Sequence, residues 1–170
     1  MNRILSVFLA LIASLAFSGS GICGEKKIVD GHLRLHSLFE KLREREIKSV
    51  EILWMDPTTE SRATITPQVL DQTYFRKLMI RKLRGDKLEK SVTESVRTTF
   101  LTKMDPNAEG DVRWAIKFYE DGKSAPAVSI YLDGTGETGS IAGTPYSFNG
   151  SLFAWLDTNF SPIFAGGGNK

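Results

Sequence analysis

Two segments in the middle of the chain alternate large apolar side chains with polar ones, which is the pattern of β-strands that bury one face. They span residues 112–119 and 128–132, and an Asp-Gly pair lies between them. A two-residue turn at that pair would place Val128 on the wrong face of the hairpin. A three-residue loop with Gly122 in the left-handed conformation places Val128 opposite Trp114 instead. The alternation therefore predicts an antiparallel hairpin with a three-residue loop.

Helical signals occur at four places, each opened by a residue type whose side chain caps helix N-termini. These residues are Asp30, Thr66, Asp86 and Asn149. Apolar side chains recur at helical spacing across residues 30–46. Pro67 follows its capping threonine at the first helical position, where the missing N–H costs nothing. The last helix is predicted to end at Pro162, because proline cannot continue the backbone hydrogen bonding.

Three further strands are predicted outside the hairpin, besides a possible short one at residues 62–65. Residues 49–55 are apolar on both faces, which is typical of a central strand. Residues 74–83 mix apolar and basic side chains and favour a strand over a helix. Residues 140–148 contain Pro145, which cannot donate to a ladder, so they are expected to form one interrupted edge strand.

These elements predict an α+β fold: an antiparallel sheet of four to five strands with helices packed mainly on one face. Residues 28–162 are expected to form a single domain, because a stretch of this length can bury a core without disulfides or metal. Residues 163–170 are rich in glycine and are expected to form a flexible tail.

The first 21 residues have the three parts of a secretory signal peptide. Arg3 supplies the positive start, residues 4–17 are almost entirely apolar, and small residues follow. The apolar run is shorter than the roughly 20 residues that span a bilayer, so we expect a cleaved signal and no integral membrane segment after cleavage. The predicted location is periplasmic or secreted. Cys23 is the only cysteine, which excludes a disulfide within the chain.

Charge is unevenly distributed along the chain, whose net charge is +2. Residues 76–103 carry nine basic side chains and three acidic ones. We interpret this segment as a solvated face, with steering of an anionic partner as the alternative. No nucleic-acid partner is predicted, because no binding motif accompanies the charge.

Four side chains of the hairpin are the candidate binding residues. The alternation places Arg113, Lys117, Tyr119 and Tyr131 on its polar face. Tyrosine and arginine are enriched at protein interfaces, because they combine a large contact area with a polar tip. The alternative is that a helix covers this face as well.

Two motifs resemble a cofactor site and a metal site, but the residues around them do not support either function. Residues 134–139 match G-x-G-x-x-G, but Gly143 and Pro145 follow too soon for the helix that a dinucleotide site requires, so no cofactor is predicted. His32 and His36 have a metal-compatible spacing, but the chain has no other histidine to complete a zinc site, so no metal is predicted. No catalytic residues are assigned, because no nucleophile motif is present.

The sequence therefore favours a secreted or periplasmic protein that is not an enzyme and acts through contact with another protein in the envelope or outside the cell. Such a protein could be an inhibitor, an immunity-type protein or an envelope adaptor. A periplasmic carrier of a small ligand is the alternative, and a small secreted hydrolase is a third possibility.

Overall fold

The computed structural model describes residues 30–165, except 57, 62, 82, 84–86, 106–107 and 109. The helices of this part of the chain are α1 (Gly31–Arg43), α2 (Pro67–Thr73), α3 (Lys87–Thr98) and α4 (Ser151–Ala165). Its strands are β1 (Ile47–Trp54), β2 (Arg76–Ile80), β3 (Leu101–Lys103), β4 (Val112–Glu120), β5 (Val128–Asp133), β6 (Thr138–Ile141) and β7 (Thr144–Phe148). The predicted signal peptide, Cys23, the Asp86 cap and residues 166–170 of the predicted tail lie outside the described residues.

The strands form one antiparallel sheet in the order β2-β1-β4-β5-β6-β7-β3. The α+β class with an antiparallel sheet is thus confirmed, but the predicted strand number of four to five is wrong, because the sheet has seven strands. The predicted interrupted strand at residues 140–148 is a hairpin of β6 and β7. Ala142 and Gly143 join them with φ angles of 54° and 79°, the left-handed pair that reverses a chain within two residues. Strand β3 then extends the sheet by pairing with β7.

The central hairpin has the predicted faces but a different register. Val128 lies opposite Phe118, not Trp114, so the predicted three-residue loop is wrong and the loop is longer. Gly122 adopts the left-handed conformation, as predicted, with φ of 66°. The ladder resumes only after Pro126, which has no amide hydrogen, and the amide of Ala127 donates to the carbonyl of Phe118 at 2.8 Å.

Buried apolar side chains form two clusters, one on each face of the sheet. The larger cluster joins apolar side chains of β1, β4 and β5 to those of α1, α3 and α4; its members on the three strands include residues 50, 52, 54, 114, 116, 118, 128, 130 and 132. The smaller cluster joins Leu53, Val112 and Ala115 of the sheet to Leu70 of α2. Strand β1 therefore contributes to both clusters and lies between β2 and β4, which confirms its predicted central position.

Capping residues correctly predict where two helices begin, but Pro162 does not mark the end of the last helix. The Asp30 carboxylate accepts a hydrogen bond from the His32 amide at 3.0 Å, and Thr66 opens α2 one residue before Pro67. Helix α4, by contrast, continues through Pro162 to Ala165, so the predicted end is wrong. The last turn is stabilised by packing, because the buried Phe164 ring stacks on Trp54 at 5.5 Å between centroids. No helix of the described residues is long and apolar enough to cross a membrane.

Candidate functional site

All four predicted binding residues lie on the face of the sheet that carries the smaller cluster. Arg113, Lys117 and Tyr119 are alternate residues of β4 on that side, and Tyr131 of β5 lies opposite Ala115. Arg113 is only 7% exposed, and the other three are half-buried. The shared face follows from the strand alternation. That these residues contact a partner stays a prediction.

Tyr119 forms a polar group with Glu51 of β1 and Lys77 of β2. Its hydroxyl donates to a Glu51 carboxylate oxygen at 2.8 Å, and Lys77 forms an ion pair with the same carboxylate. Glu51 is 5% exposed, and its burial alone would raise its pKa. Hydrogen bonds from Lys77 and Tyr119 outweigh that effect and hold the Glu51 pKa below its ordinary value. Burial and the bond to Glu51 raise the pKa of Tyr119.

Tyr131 and Lys117 share a second carboxylate, that of Asp71 on α2. The Tyr131 hydroxyl donates to one oxygen at 2.9 Å, and the Lys117 ammonium lies 2.8 Å from the other. Burial and then the bond to Asp71 raise the pKa of Tyr131. Lys117 and Tyr131, which lie on neighbouring strands, therefore bind α2 to the sheet through Asp71.

Arg113 supports a turn. Its guanidinium donates to the backbone carbonyls of Asp56 at 3.0 Å and Thr59 at 3.2 Å, and it forms an ion pair with Asp111. A buried cation with these three acceptors is electrostatically satisfied. Arg113 thus connects β4 to the backbone of Asp56 and Thr59, which follow β1.

The sequence prediction missed the two carboxylates that hold these groups together. Glu51 and Asp71 each bind one lysine and one tyrosine, so the charges of the four ionised groups cancel. Glu51 has a recognisable signal, since it is a single charge inside an apolar central strand. Asp71 has none, because its partners are 46 and 60 positions away in the chain.

We expect the stability of the protein to fall as the pH rises above about 10, where unfolded tyrosine ionises. A raised pKa in the folded state means that Tyr119 and Tyr131 contribute stability below that pH and lose it above. Each contributes a slope of at most about 1.4 kcal/mol per pH unit to the free energy of unfolding. Urea denaturation at pH 9 to 11 would measure this slope. The double variant Y119F/Y131F should show a shallower slope, and an unchanged slope would contradict the assignment.

An open cleft of about 540 Å³ adjoins Tyr119 at the end of the sheet away from α2. Its charged lining residues are Lys48, Glu51, Lys77, Arg81, Glu120, Asp121 and Lys123. Two of the three acids are engaged, because Glu51 binds Lys77 and Glu120 binds Lys41 of α1. Arg81 and Lys123 are exposed and form no ion pair with a described residue. The cleft therefore carries an excess of positive charge.

Strand β2 borders this cleft and is an edge of the sheet. On its outer side no strand of the described chain pairs with it. Large apolar side chains are exposed along it: Tyr74 and Phe75 just before its start and Met79 near its end. Phe75 is the most exposed of the three, at 63%. We call Tyr74, Phe75, Met79 and Arg81 the β2 edge surface; the sequence prediction did not single out these residues.

The glycine-rich loop after β5 is built around Asp133. Its carboxylate accepts hydrogen bonds from the amides of Thr135, Gly136, Glu137 and Thr138 and from two threonine hydroxyls. The amides that would cradle a phosphate in a nucleotide-binding loop are thus directed at the protein's own carboxylate. The loop is a structural turn.

Two smaller depressions lie elsewhere on the described surface. A groove of about 290 Å³ between α1 and α3 has His32 and His36 on its rim and Leu35 and Phe39 on its floor. Among the described residues no group of three or more His, Cys, Asp or Glu side chains is placed to hold a metal ion. A cavity of about 130 Å³ lies beside Pro67, below the 300–1,000 Å³ range of typical ligand sites.

Comparison of this chain with protein-family models, with curated proteins and with solved structures finds no match.

Proposed function

We propose that this is an exported binding protein, not an enzyme, which acts through contact with another protein in the periplasm or outside the cell. An inhibitor, an immunity-type protein and an envelope adaptor all fit this description. Export is supported by the three-part signal pattern of residues 1–21.

The observation that carries the proposal is the β2 edge surface. Exposed apolar side chains scattered singly are ordinary, but grouped ones mark surfaces that another molecule covers. Tyr74, Phe75 and Met79 are grouped along a sheet edge, beside a cleft with excess positive charge. Tyr119 lines that cleft, so one of the predicted binding residues lies beside this surface.

The internal pairing of the polar network supports a binding role over a catalytic one. A catalytic acid, base or nucleophile must be free to exchange a proton or to attack a substrate. Lys77, Lys117, Tyr119 and Tyr131 are instead held by two carboxylates, and both phenols have raised pKa values. Their evident role is to keep α2 and β2 on the sheet, which stabilises the surface beside them.

Capture experiments with matched variants test the proposal. The full chain, tagged at its C-terminus and exported by its host, is recovered from the envelope and culture fluid, and associated proteins are identified by mass spectrometry. We expect one stoichiometric partner, lost in Phe75→Ala. The matched control is Phe100→Ala, since Phe100 is also exposed, at 73%, but lies beside β3 at the other edge.

Three results would contradict the proposal: a chain that stays in the cytoplasm, no stoichiometric partner, or a partner that Phe75→Ala retains. Alanine at both Tyr119 and Tyr131 is a poor test, because it removes the hydroxyls that bind Glu51 and Asp71. A partner lost in that variant could reflect a displaced α2.

A further inference from the structure

We infer that the β2 edge receives an extended, acidic segment of the partner protein as an eighth strand of the sheet. This inference rests on the proposed function and names the chemistry of the partner. It is carried by the open edge, the apolar side chains along it and the distribution of charge.

An edge strand presents a row of N–H and C=O groups, and an extended peptide can pair with them to extend the sheet. Strand β2 is antiparallel to β1, with Leu78 opposite Ile52 at its centre, so it has the regular geometry that such pairing needs. Its outer side has no strand neighbour among the described residues.

Apolar side chains would meet the added strand on both faces of the sheet. Met79 is exposed on the face that carries Glu51, whereas the Phe75 ring lies 6.0 Å from that of Trp54, which belongs to the larger cluster on the opposite face. One apolar residue of an added strand would cover Met79, and another of opposite parity would cover Phe75. Strand addition therefore buries both the polar backbone and the apolar groups of the same edge.

Charge selects the occupant. Residues 76–81 contain three cations and no anion, and exposed Arg81 and Lys123 line the cleft together with one exposed acid, Asp121. Glu51 neutralises Lys77, and Lys123 is near enough to Glu120 to lower the Glu120 pKa, but Arg81 forms no ion pair with a described carboxylate. An acidic strand supplies the missing anions, and the opposite charges also favour encounter.

The same charges argue against a second copy of this chain as the occupant. Antiparallel pairing of β2 with β2 would bring the cations of residues 76–81 from both chains together. Like charges directly opposite each other in a sheet are destabilising. Self-association through this edge is therefore an outcome that the test must be able to detect.

The test uses a random peptide library displayed on phage and selected against the exported full chain. We expect the selected peptides to carry an apolar residue and an aspartate or glutamate two positions apart, because Met79 and Arg81 both line the same cleft. On binding, amide hydrogen exchange of residues 76–80 should slow. Arg81→Glu should weaken binding at least about tenfold, because it places like charges together. The control Lys103→Glu changes an exposed lysine of β3 at the other edge and should leave binding unchanged.

Selection of no peptide, of neutral or basic peptides, or of peptides that slow exchange elsewhere would overturn the inference. Sedimentation that shows a dimer lost in Met79→Lys would overturn it in favour of a second copy. The experiments distinguish failure of this inference from failure of the proposed binding function. A captured partner that is lost in Phe75→Ala but retained in Arg81→Glu leaves the proposed function standing and rejects only the acidic strand.

Discussion

Phe118→Ala is expected to lower the free energy of unfolding by about 3–5 kcal/mol. The Phe118 ring is fully buried in the larger cluster, on the strand that joins β1 to β5. Its loss removes the transfer free energy of the ring and leaves a cavity that the surrounding strands cannot fill. Urea denaturation followed by circular dichroism would measure the change.

Phe100→Ala provides the matched control for this substitution. The Phe100 ring is largely exposed, so its removal should change stability by no more than about 0.5 kcal/mol. Equal effects of the two substitutions would show that the large cluster does not hold the sheet as described.

The second large effect is expected from Gly139→Ala on β6. A Cβ atom at this position would lie 2.0 Å from the carbonyl oxygen of Tyr131, a backbone atom of the neighbouring strand. Relief of that contact requires β5 and β6 to separate, which we expect to cost about 3 kcal/mol or more. The change would appear as a lowered melting temperature or as failure to accumulate folded protein.

Gly122→Ala separates this steric effect from the ordinary cost of replacing a glycine. Gly122 has a positive φ angle of 66°, but a Cβ atom added there would meet nothing within 4 Å. We expect a loss of only about 1–2 kcal/mol from the backbone conformation. A loss as large as that of Gly139→Ala would contradict the close approach of β5 and β6.

Much of the local structure could be predicted from short stretches of the chain. The start of α1 at Asp30 and of α2 at Thr66-Pro67 depends on capping groups adjacent in sequence. The inner and outer faces of β4 and β5 follow from alternation, because successive side chains of a strand point to opposite sides. These features need no information about distant parts of the chain.

The register, the strand number and the end of α4 depended on contacts between distant residues. Alternation specifies which face each side chain occupies, but it permits the register of the two strands to shift by two or four residues. The pairing of Phe118 with Val128 depends on the conformation of the whole loop through Pro126. Helix α4 continues past Pro162 because Phe164 stacks on Trp54, about 110 positions earlier in the chain. No local signal contains such a contact.

The same division holds for the candidate site. The sequence by itself determined that Arg113, Lys117, Tyr119 and Tyr131 share one face, because a strand's side-chain period is two. Only the tertiary structure decided that each tyrosine of that face shares a carboxylate with a lysine, and that β2 lies at an edge. Strand order and ion pairing depend on which surfaces come into contact when the chain folds. Neither can be predicted from a single segment of the sequence.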